Sequence, residues 1–312
     1  MHFPKSSKKP PASSNAPAAV ADPEVFFEFE AIGTKWWIGI YEPVGADVLA
    51  GLKEAVAGRV ERFDKTYSRF RDDSMVAAMA RQAGQYGFPV GGRIMLQFYR
   101  KLYDLTDGAV TPLVGQLLSD AGYDAEYSLR PKDLKPVPAW DDVMVYRDDV
   151  LTLKQPALLD FGAVGKGFLV ERVARLLRGA GVRRFCVDAS GDMLFEHPDQ
   201  YLRVGLENPD DSDQVIGVVD LADKWALCGS AGNRRAWAGF HHIMDPRSRT
   251  PAKGVKAVWV MSRQAMEADG LTTALFFVSP QALTRNFSFE FLILHEDGRI
   301  EHSHGFPAQL FT

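Results

Sequence analysis

The sequence has little cysteine, no excess of basic charge and no long hydrophobic run. Its 312 residues include only Cys186 and Cys228, which lie far apart and form no Cys-x-x-Cys pair. This spacing argues against a disulfide framework and predicts two buried thiols in a reducing compartment. A formal net charge of −4, without densely interleaved basic and aromatic residues, argues against nucleic-acid binding. No segment is long and apolar enough to predict insertion into a membrane.

The first residues are rich in Pro, Ser, Ala and Lys, and they contain neither the apolar region of a signal peptide nor a lipobox-like cysteine. We therefore predict a disordered tail over residues 1–22 and a cytoplasmic location. The whole chain has 46% hydrophobic and 24% charged residues, which is the composition of a globular protein. We predict a single domain over residues 23–312.

The most informative stretch runs from residue 158 to residue 192. It predicts an apolar strand at Leu158 and Leu159, a glycine turn, an amphipathic helix, and a second buried strand over residues 183–188. A glycine turn that opens a helix can bind an anion, because free amides and the helix dipole point the same way. Lys166 adds positive charge there, so a phosphate is the expected ligand. Taken alone, however, such a pattern is more often a purely structural turn.

Two standard phosphate-binding signatures are absent from this turn. Only two residues separate Gly162 from Gly165, and Gly167 follows Lys166, so the P-loop spacing is not met. The spacing of the three glycines also differs from the dinucleotide-binding fingerprint.

Several further elements follow from local patterns. Apolar residues at helical spacing predict helices over residues 49–63 and 93–106. Aromatic and β-branched residues on both sides of Ile32-Gly33-Thr34 predict a hairpin over residues 25–41, and a second hairpin is predicted over residues 143–153. Apolar runs predict strands over residues 202–206, 215–219, 255–262 and 289–294.

The segment from Asp160 to Phe168, DFGAVGKGF, resembles the core motif D-x-[GS]-x-[IV]-[AG]-[KE]-G-[YF] of the FAD:protein FMN transferase (ApbE) family. Segments at residues 32–34, 67–74, 110–123, 232–235, 241–251 and 265–277 resemble other motifs of that family, in the family's order. Departures include Ile32 for methionine, Thr111 for an acidic residue, Ala121 for tryptophan, Ser190 for glycine, and Ser248-Arg249 for Thr-Gly. A glycine at the position of Arg249 would permit a turn with positive φ.

The resemblance implies an α+β fold, with twisted mixed β-sheets, packed helices and a flavin cleft between two intimate lobes. It implies Mg²⁺-dependent transfer of FMN from FAD, the substrate, to an exposed threonine of an acceptor protein, with release of AMP. A close alternative is a FAD pyrophosphatase that uses water as the acceptor. A non-catalytic FAD-binding protein is the second alternative.

The resemblance also assigns the metal ligands: Asp269, Thr273 and the backbone carbonyl of Ala163. A carboxylate and a hydroxyl four residues apart share a helix face, and oxygen ligands suit Mg²⁺. Considered alone, Asp269 could instead cap a helix over residues 270–277, with Thr273 in its interior. Thr272 is a further possible ligand.

His242 is the candidate general base, because imidazole titrates near neutral pH. The alternative is a structural histidine that fixes the Asp245-Pro246 turn. Asp160 either hydrogen-bonds a polar edge of the flavin or ribose, or braces its own turn. His241 is expected to be a surface or binding residue. By resemblance, the residues assigned to the flavin nucleotide are Ile32, Phe70, Ala121, Gly122, Tyr123, Asp160, Lys166 and Ala252.

Overall fold

The centre of the molecule is an eight-stranded antiparallel sheet with the strand order β18-β17-β16-β11-β8-β7-β3-β2. The computed structural model describes residues 18–89, 91–147 and 149–311. The strands are β1 (Ala18–Ala19), β2 (Val25–Ala31), β3 (Thr34–Ile40), β4 (Gly84–Gly87), β5 (Met144–Arg147), β6 (Val150–Leu153), β7 (Phe185–Asp188), β8 (Met193–Glu196), β9 (Gln200–Asn208), β10 (Asp211–Leu221), β11 (Trp225–Ala231), β12 (Ala236–Trp237), β13 (Phe240–His241), β14 (Met244–Asp245), β15 (Thr250–Pro251), β16 (Val255–Ser262), β17 (Glu290–His295), β18 (Ile300–His302) and β19 (Ala308–Leu310).

Helices pack on one face of this sheet, and a second, mixed sheet β1-β9-β10-β19 covers part of the other face. Helix α6 packs against α1 and α7, and α7 packs against β11 and β16. The helices are α1 (Ala46–Tyr67), α2 (Met75–Arg81), α3 (Gly92–Leu105), α4 (Gly115–Asp120), α5 (Trp140–Val143), α6 (Gly165–Gly179), α7 (Ala265–Ala274) and α8 (Pro280–Thr284). The fold class is α+β, as predicted.

The middle strands of the central sheet are buried on both faces, and their side chains alternate between two cores. In β16, Val258 and Val260 belong to the core under the helices, whereas Ala257, Trp259 and Met261 face the second sheet. Successive side chains of a strand point to opposite faces, so a strand in a middle layer needs apolar residues throughout. This arrangement explains the continuous apolar run that predicted β16.

The hairpin of β2 and β3 turns at Ile32 and Gly33, which have φ of +47° and +71°. Positive φ at both central residues is typical of a two-residue type I′ turn, whose twist matches that of the strands. For a β-branched residue such as Ile32 this conformation is strained, whereas Gly33 adopts it without a Cβ clash.

One prediction about local structure differs from the observed fold, in the segment that precedes α6. Leu158 and Leu159 are not in a strand. Instead the segment packs beneath the start of α4: the Asp160 amide donates to the Pro112 carbonyl at 2.7 Å, and a Cβ on Gly115 would lie 2.4 Å from the Leu158 oxygen. Backbone contacts with residues 112–115 thus replace pairing with a strand.

The predicted tail, residues 1–22, falls mostly outside the described residues. Near its end, Ala18 and Ala19 form β1 and pair in parallel with Gln200 and Tyr201 of β9. Both cysteines are buried and free, as expected. Within the described part of the chain, no helix is long and apolar enough to cross a membrane.

Candidate functional site

Aromatic side chains form one wall of the candidate site. The ring of Phe70, just after α1, lies 5.3 Å from that of Tyr123 and stacks on Tyr127 at 5.2 Å, with 13° between the planes. Trp237 packs on Tyr123 at 5.6 Å and donates its indole N–H to the Ala121 carbonyl at 2.7 Å. A flavin that stacks on the Phe70 face covered by Tyr127 must therefore displace Tyr127.

Arg69 joins this wall to the glycine turn. Its Nε donates to Asp160 Oδ2 at 2.5 Å, and its Nη1 donates to the Tyr123 carbonyl at 2.6 Å. The other Asp160 oxygen accepts the Gly162 amide at 2.7 Å, so both carboxylate oxygens brace the protein's own structure. Arg69 Nη2 is buried and has no hydrogen-bond partner among the described residues, which leaves one donor available.

The N-terminus of α6 holds a carboxylate of the protein itself. The Gly167 amide donates to Asp269 Oδ2 at 2.8 Å, so this amide does not serve the phosphate that the sequence predicted. Gly167 permits the contact, since a Cβ there would lie 2.2 Å from the Ala265 carbonyl oxygen. Asp269 lies inside α7, which begins after Gln264, and the alternative of an N-cap at Asp269 is therefore wrong.

Lys166 and Asp192 extend this charged cluster. Lys166 Nζ lies 2.6 Å from Asp192 Oδ2. Burial disfavours the lysine charge, but Asp192 and Asp269 outweigh it and raise the pKa of Lys166. Burial and the Asp192 charge raise the pKa of Asp269 well above its usual value, against the opposing effects of Lys166 and the Gly167 and Lys166 amides. The site therefore has a carboxylate whose ionisation an additional cation would favour.

The predicted metal ligands offer oxygen atoms that suit this additional cation. Asp269 is buried at the centre of the cluster. The Gly167 amide donates to Asp269. Outside the regular helices and strands, no described backbone amide donates to the Ala163 carbonyl. Thr273 is half-buried. The hydroxyl of the neighbouring Thr272 is hydrogen-bonded within the protein, to the Ser230 hydroxyl and to the Asp269 carbonyl.

The donor set contains one carboxylate, one hydroxyl and one carbonyl, and these hard oxygens fit Mg²⁺. The described residues contain no group of three or more His, Cys, Asp or Glu side chains arranged for a metal. A cation held here would accordingly take its remaining ligands from water or from a bound phosphate.

His242 lies within electrostatic range of Asp160 and Lys166, and its Nδ1 is buried without a described partner. Burial, then the positive charges of Arg235, His241 and Lys166, lower its pKa to about 3. The imidazole is therefore neutral at pH 7. The Asp245-Pro246 turn is held instead by Arg247, whose guanidinium and amide both donate to Asp245.

His241 is half-buried, and both of its ring nitrogens lie within hydrogen-bond distance of backbone groups. Its Nε2 is 3.2 Å from the Ala252 carbonyl, and its Nδ1 accepts the Ile243 amide at 3.2 Å. The Ala252 amide in turn donates to the Ile243 carbonyl. Ala252 thus lies in the backbone network beside His241, with its amide and carbonyl both engaged.

Other predicted residues shape the loops around the site. Gly122 has φ of +101° and packs against the Arg130 amide, where a Cβ would lie 2.5 Å away. The Ile32-Gly33 turn approaches the aromatic wall, since a Cβ on Gly33 would be 3.7 Å from the Tyr127 hydroxyl. Arg249 has φ of +59°, the conformation that a glycine would favour, and its Nη1 donates to the Leu134 carbonyl.

The structure thus brings Asp160, Lys166, Asp269 and His242 into one electrostatic cluster, beside the aromatic wall. Sequence reasoning did not assign roles to the residues that connect these groups. Arg69 and Asp192 could have been suspected, because Arg69 precedes Phe70 within a motif and Asp192 ends a small-residue loop. Tyr127 and Trp237 gave no local signal. These missed residues are Arg69, Asp192, Tyr127 and Trp237.

Comparison with known proteins identifies the architecture. The model of the ApbE family matches residues 32–289. The FAD:protein FMN transferase of Treponema pallidum is 28% identical over 309 residues, covering 88% of this chain and 85% of that protein. The FAD:protein FMN transferase of Rhodobacter capsulatus is 30% identical over 218 residues, covering 65% of this chain and 41% of that protein. The ApbE protein of Thermotoga maritima has a similar fold, with a TM-score of 0.75, 23% identity, and coverage of 90% of this chain and 97% of that one.

Proposed function

The chain belongs to the ApbE family, and on this basis we propose that it transfers FMN from FAD to a threonine hydroxyl of an acceptor protein. In this reaction the threonine oxygen forms a bond to the flavin-side phosphorus, and the bond from that phosphorus to the bridging oxygen breaks. AMP leaves with the electron pair, and the hydroxyl proton passes to a base. The relatives named FAD:protein FMN transferase support the donor and the transferred group.

The observation that carries the proposal is the buried Asp269 carboxylate, which lies beside Lys166 and accepts the Gly167 amide at the N-terminus of α6. We assign Mg²⁺ to Asp269, Thr273 and the Ala163 carbonyl, where it would neutralise charge on the FAD pyrophosphate. The raised pKa of Asp269 supports this assignment, because a cation would favour the ionised carboxylate. The hydroxyl of Thr272 is engaged within the protein, which supports the choice of Thr273 between these neighbours.

Lys166 holds a positive charge beside Asp269 and is the proposed contact for a phosphate oxygen of FAD. Its pairing with Asp192 fixes the ammonium group and favours its protonated state. The Arg69 Nη2 donor, buried near Asp160, offers a second hydrogen bond to the nucleotide. Phe70, Tyr123 and the backbone of Ala121 and Gly122 are the proposed surface for the flavin ring.

His242 is the proposed acceptor of the threonine proton. Its ring is neutral in the free protein, as a base requires, but a pKa of about 3 makes it weak. The positive charges that depress this pKa face a negative pyrophosphate once FAD is bound. Bound FAD should therefore raise the pKa of His242 towards the value that proton transfer needs.

We further propose that the acceptor threonine lies in an exposed, flexible loop, because such a segment can enter a cleft already filled by FAD. The proposed location is the cytoplasm. The two free, buried cysteines support a reducing compartment, although they carry no information on the acceptor itself.

Asp269→Asn tests the metal assignment, since the amide keeps the size of the side chain but removes its negative charge. Purified protein is incubated with FAD, MgCl₂ and candidate acceptor proteins of the source cell. AMP is measured by chromatography, and covalent flavin is measured as fluorescence that survives denaturation. We expect Asp269→Asn to lose Mg²⁺-dependent AMP release while remaining folded. Asp142→Asn, at an exposed position in α5, is the control and should retain it.

The same assay separates the alternatives. AMP release with covalent flavin supports the transferase. Steady AMP release without covalent flavin would identify a FAD pyrophosphatase, and FAD binding without AMP release would identify a binding protein. Turnover by Asp269→Asn that equals the wild type and stays sensitive to EDTA would contradict the metal assignment.

A further inference from the structure

A group of four arginines lies between α1 and α6, outside the site described above. We call it the arginine niche; it consists of Arg59, Arg62, Arg172 and Arg175. Arg172 is at its base and is 9% exposed. Its guanidinium carbon lies 4.6 Å from the centre of the Phe168 ring, and its Nη2 occupies the space where a Cβ of Gly91 would be. The absence of a side chain at Gly91 therefore makes room for the guanidinium.

The niche lacks a direct counter-charge. Within the described residues, no carboxylate forms an ion pair with any of these four guanidiniums, and the buried Arg59 Nε has no acceptor. Arg69, the other arginine that is buried among the described residues, is paired with Asp160 at 2.5 Å. A buried cation without a partner is costly, because desolvation is not offset by Coulomb attraction or by hydrogen bonds.

The local electrostatics favour an anion. Burial, and then the neighbouring charges of Arg62 and Arg175, lower the pKa of Arg59. Burial, and then the charges of Arg175 and Arg59, lower the pKa of Arg172. Glu171, the carboxyl group whose charge acts on Arg172, accepts the Met266 amide, and its own pKa is raised by burial. The N-terminus of α3, whose dipole is positive, adjoins Arg172 at Gly91.

We propose that the arginine niche binds a phosphate group. Guanidinium groups bind phosphate through paired hydrogen bonds, and several of them together match its double negative charge. The depth of Arg172 favours a small group over an extended acidic surface, because only a small anion can reach the guanidinium of a residue that is 9% exposed. The phosphate is either inorganic phosphate or the phosphate of a mononucleotide.

The test is thermal unfolding of the full chain during titration with sodium phosphate or AMP, at constant ionic strength set with chloride. At 100 times the dissociation constant, a bound ligand should raise the melting temperature by about 4 °C for a chain of this length. Arg172→Met and Arg59→Gln should each abolish most of this shift. Arg285→Met, which removes an exposed arginine on another part of the surface, should leave it unchanged.

The variants also separate the niche from the proposed flavin site, which could itself bind phosphate. A shift that Lys166→Met abolishes and Arg172→Met retains would overturn the proposal, as would a wild-type shift no larger than that in chloride. If Arg172→Met does not fold, Arg59→Gln, at a half-buried position, tests the same contact with phosphate. Equal shifts with phosphate and AMP assign the phosphate alone, and a larger shift with AMP assigns a mononucleotide.

Discussion

The protonation state of His242 leads to a quantitative prediction about stability and pH. The folded protein holds the pKa of this imidazole at about 3, because burial and nearby positive charges disfavour the imidazolium. In the unfolded chain a histidine has a pKa of about 6.5. Between these values the unfolded state binds the additional proton, so the contribution of His242 to stability decreases as the pH falls below about 6.5.

The size of the effect follows from the two pKa values. Between pH 7 and pH 5 the unfolded state gains about 0.7 of a proton at this position, and the folded state gains almost none. Linkage then gives a loss of about 2 kcal/mol in the free energy of unfolding. This is an upper value, since His242 as a residue is only half-buried.

The measurement is urea unfolding of the wild type and His242→Gln at both pH values. Glutamine keeps a polar side chain and does not titrate, so the wild type should lose about 2 kcal/mol more than the variant on acidification. His304→Gln, which removes an exposed imidazole, serves as the control. Other groups titrate equally in both proteins, and their contributions cancel in the difference. Equal losses in wild type and His242→Gln would refute the buried, neutral state.

Two further predictions concern backbone positions, and thermal unfolding tests both. Gly167→Ala should destabilise by more than about 3 kcal/mol, because its Cβ would lie 2.2 Å from the Ala265 carbonyl oxygen. Gly179→Ala is the control in the same helix; no atom lies within 4 Å of its added Cβ, so it should stabilise the protein slightly. Equal effects of the two substitutions on stability would contradict the close approach of α6 and α7. Arg249→Gly should be about 1 kcal/mol more stable than Arg249→Ala, since both lose the hydrogen bond to Leu134 but only glycine relieves φ of +59°. A more stable alanine variant would contradict that reasoning.

The sequence alone determined the elements whose signals are local. The β2–β3 hairpin, α1, α3, α6 and β16 all follow from apolar periodicity and turn residues within one segment. The motif at residues 160–168 and its companions also led to the correct family, because each motif is read along a single stretch of chain. Even the positive φ of Arg249 was foreseeable from the glycine that it replaces.

The tertiary structure alone decided which side chains meet. The Gly167–Asp269 hydrogen bond joins residues 102 positions apart, and the Arg69–Asp160 pair joins residues 91 positions apart. No local pattern specifies such pairs, since they depend on how helices and turns pack. The same packing placed a carboxylate of the protein at the N-terminus of α6. It also kept Leu158 out of a strand, because backbone contacts beneath Gly115 outweighed the local β-propensity.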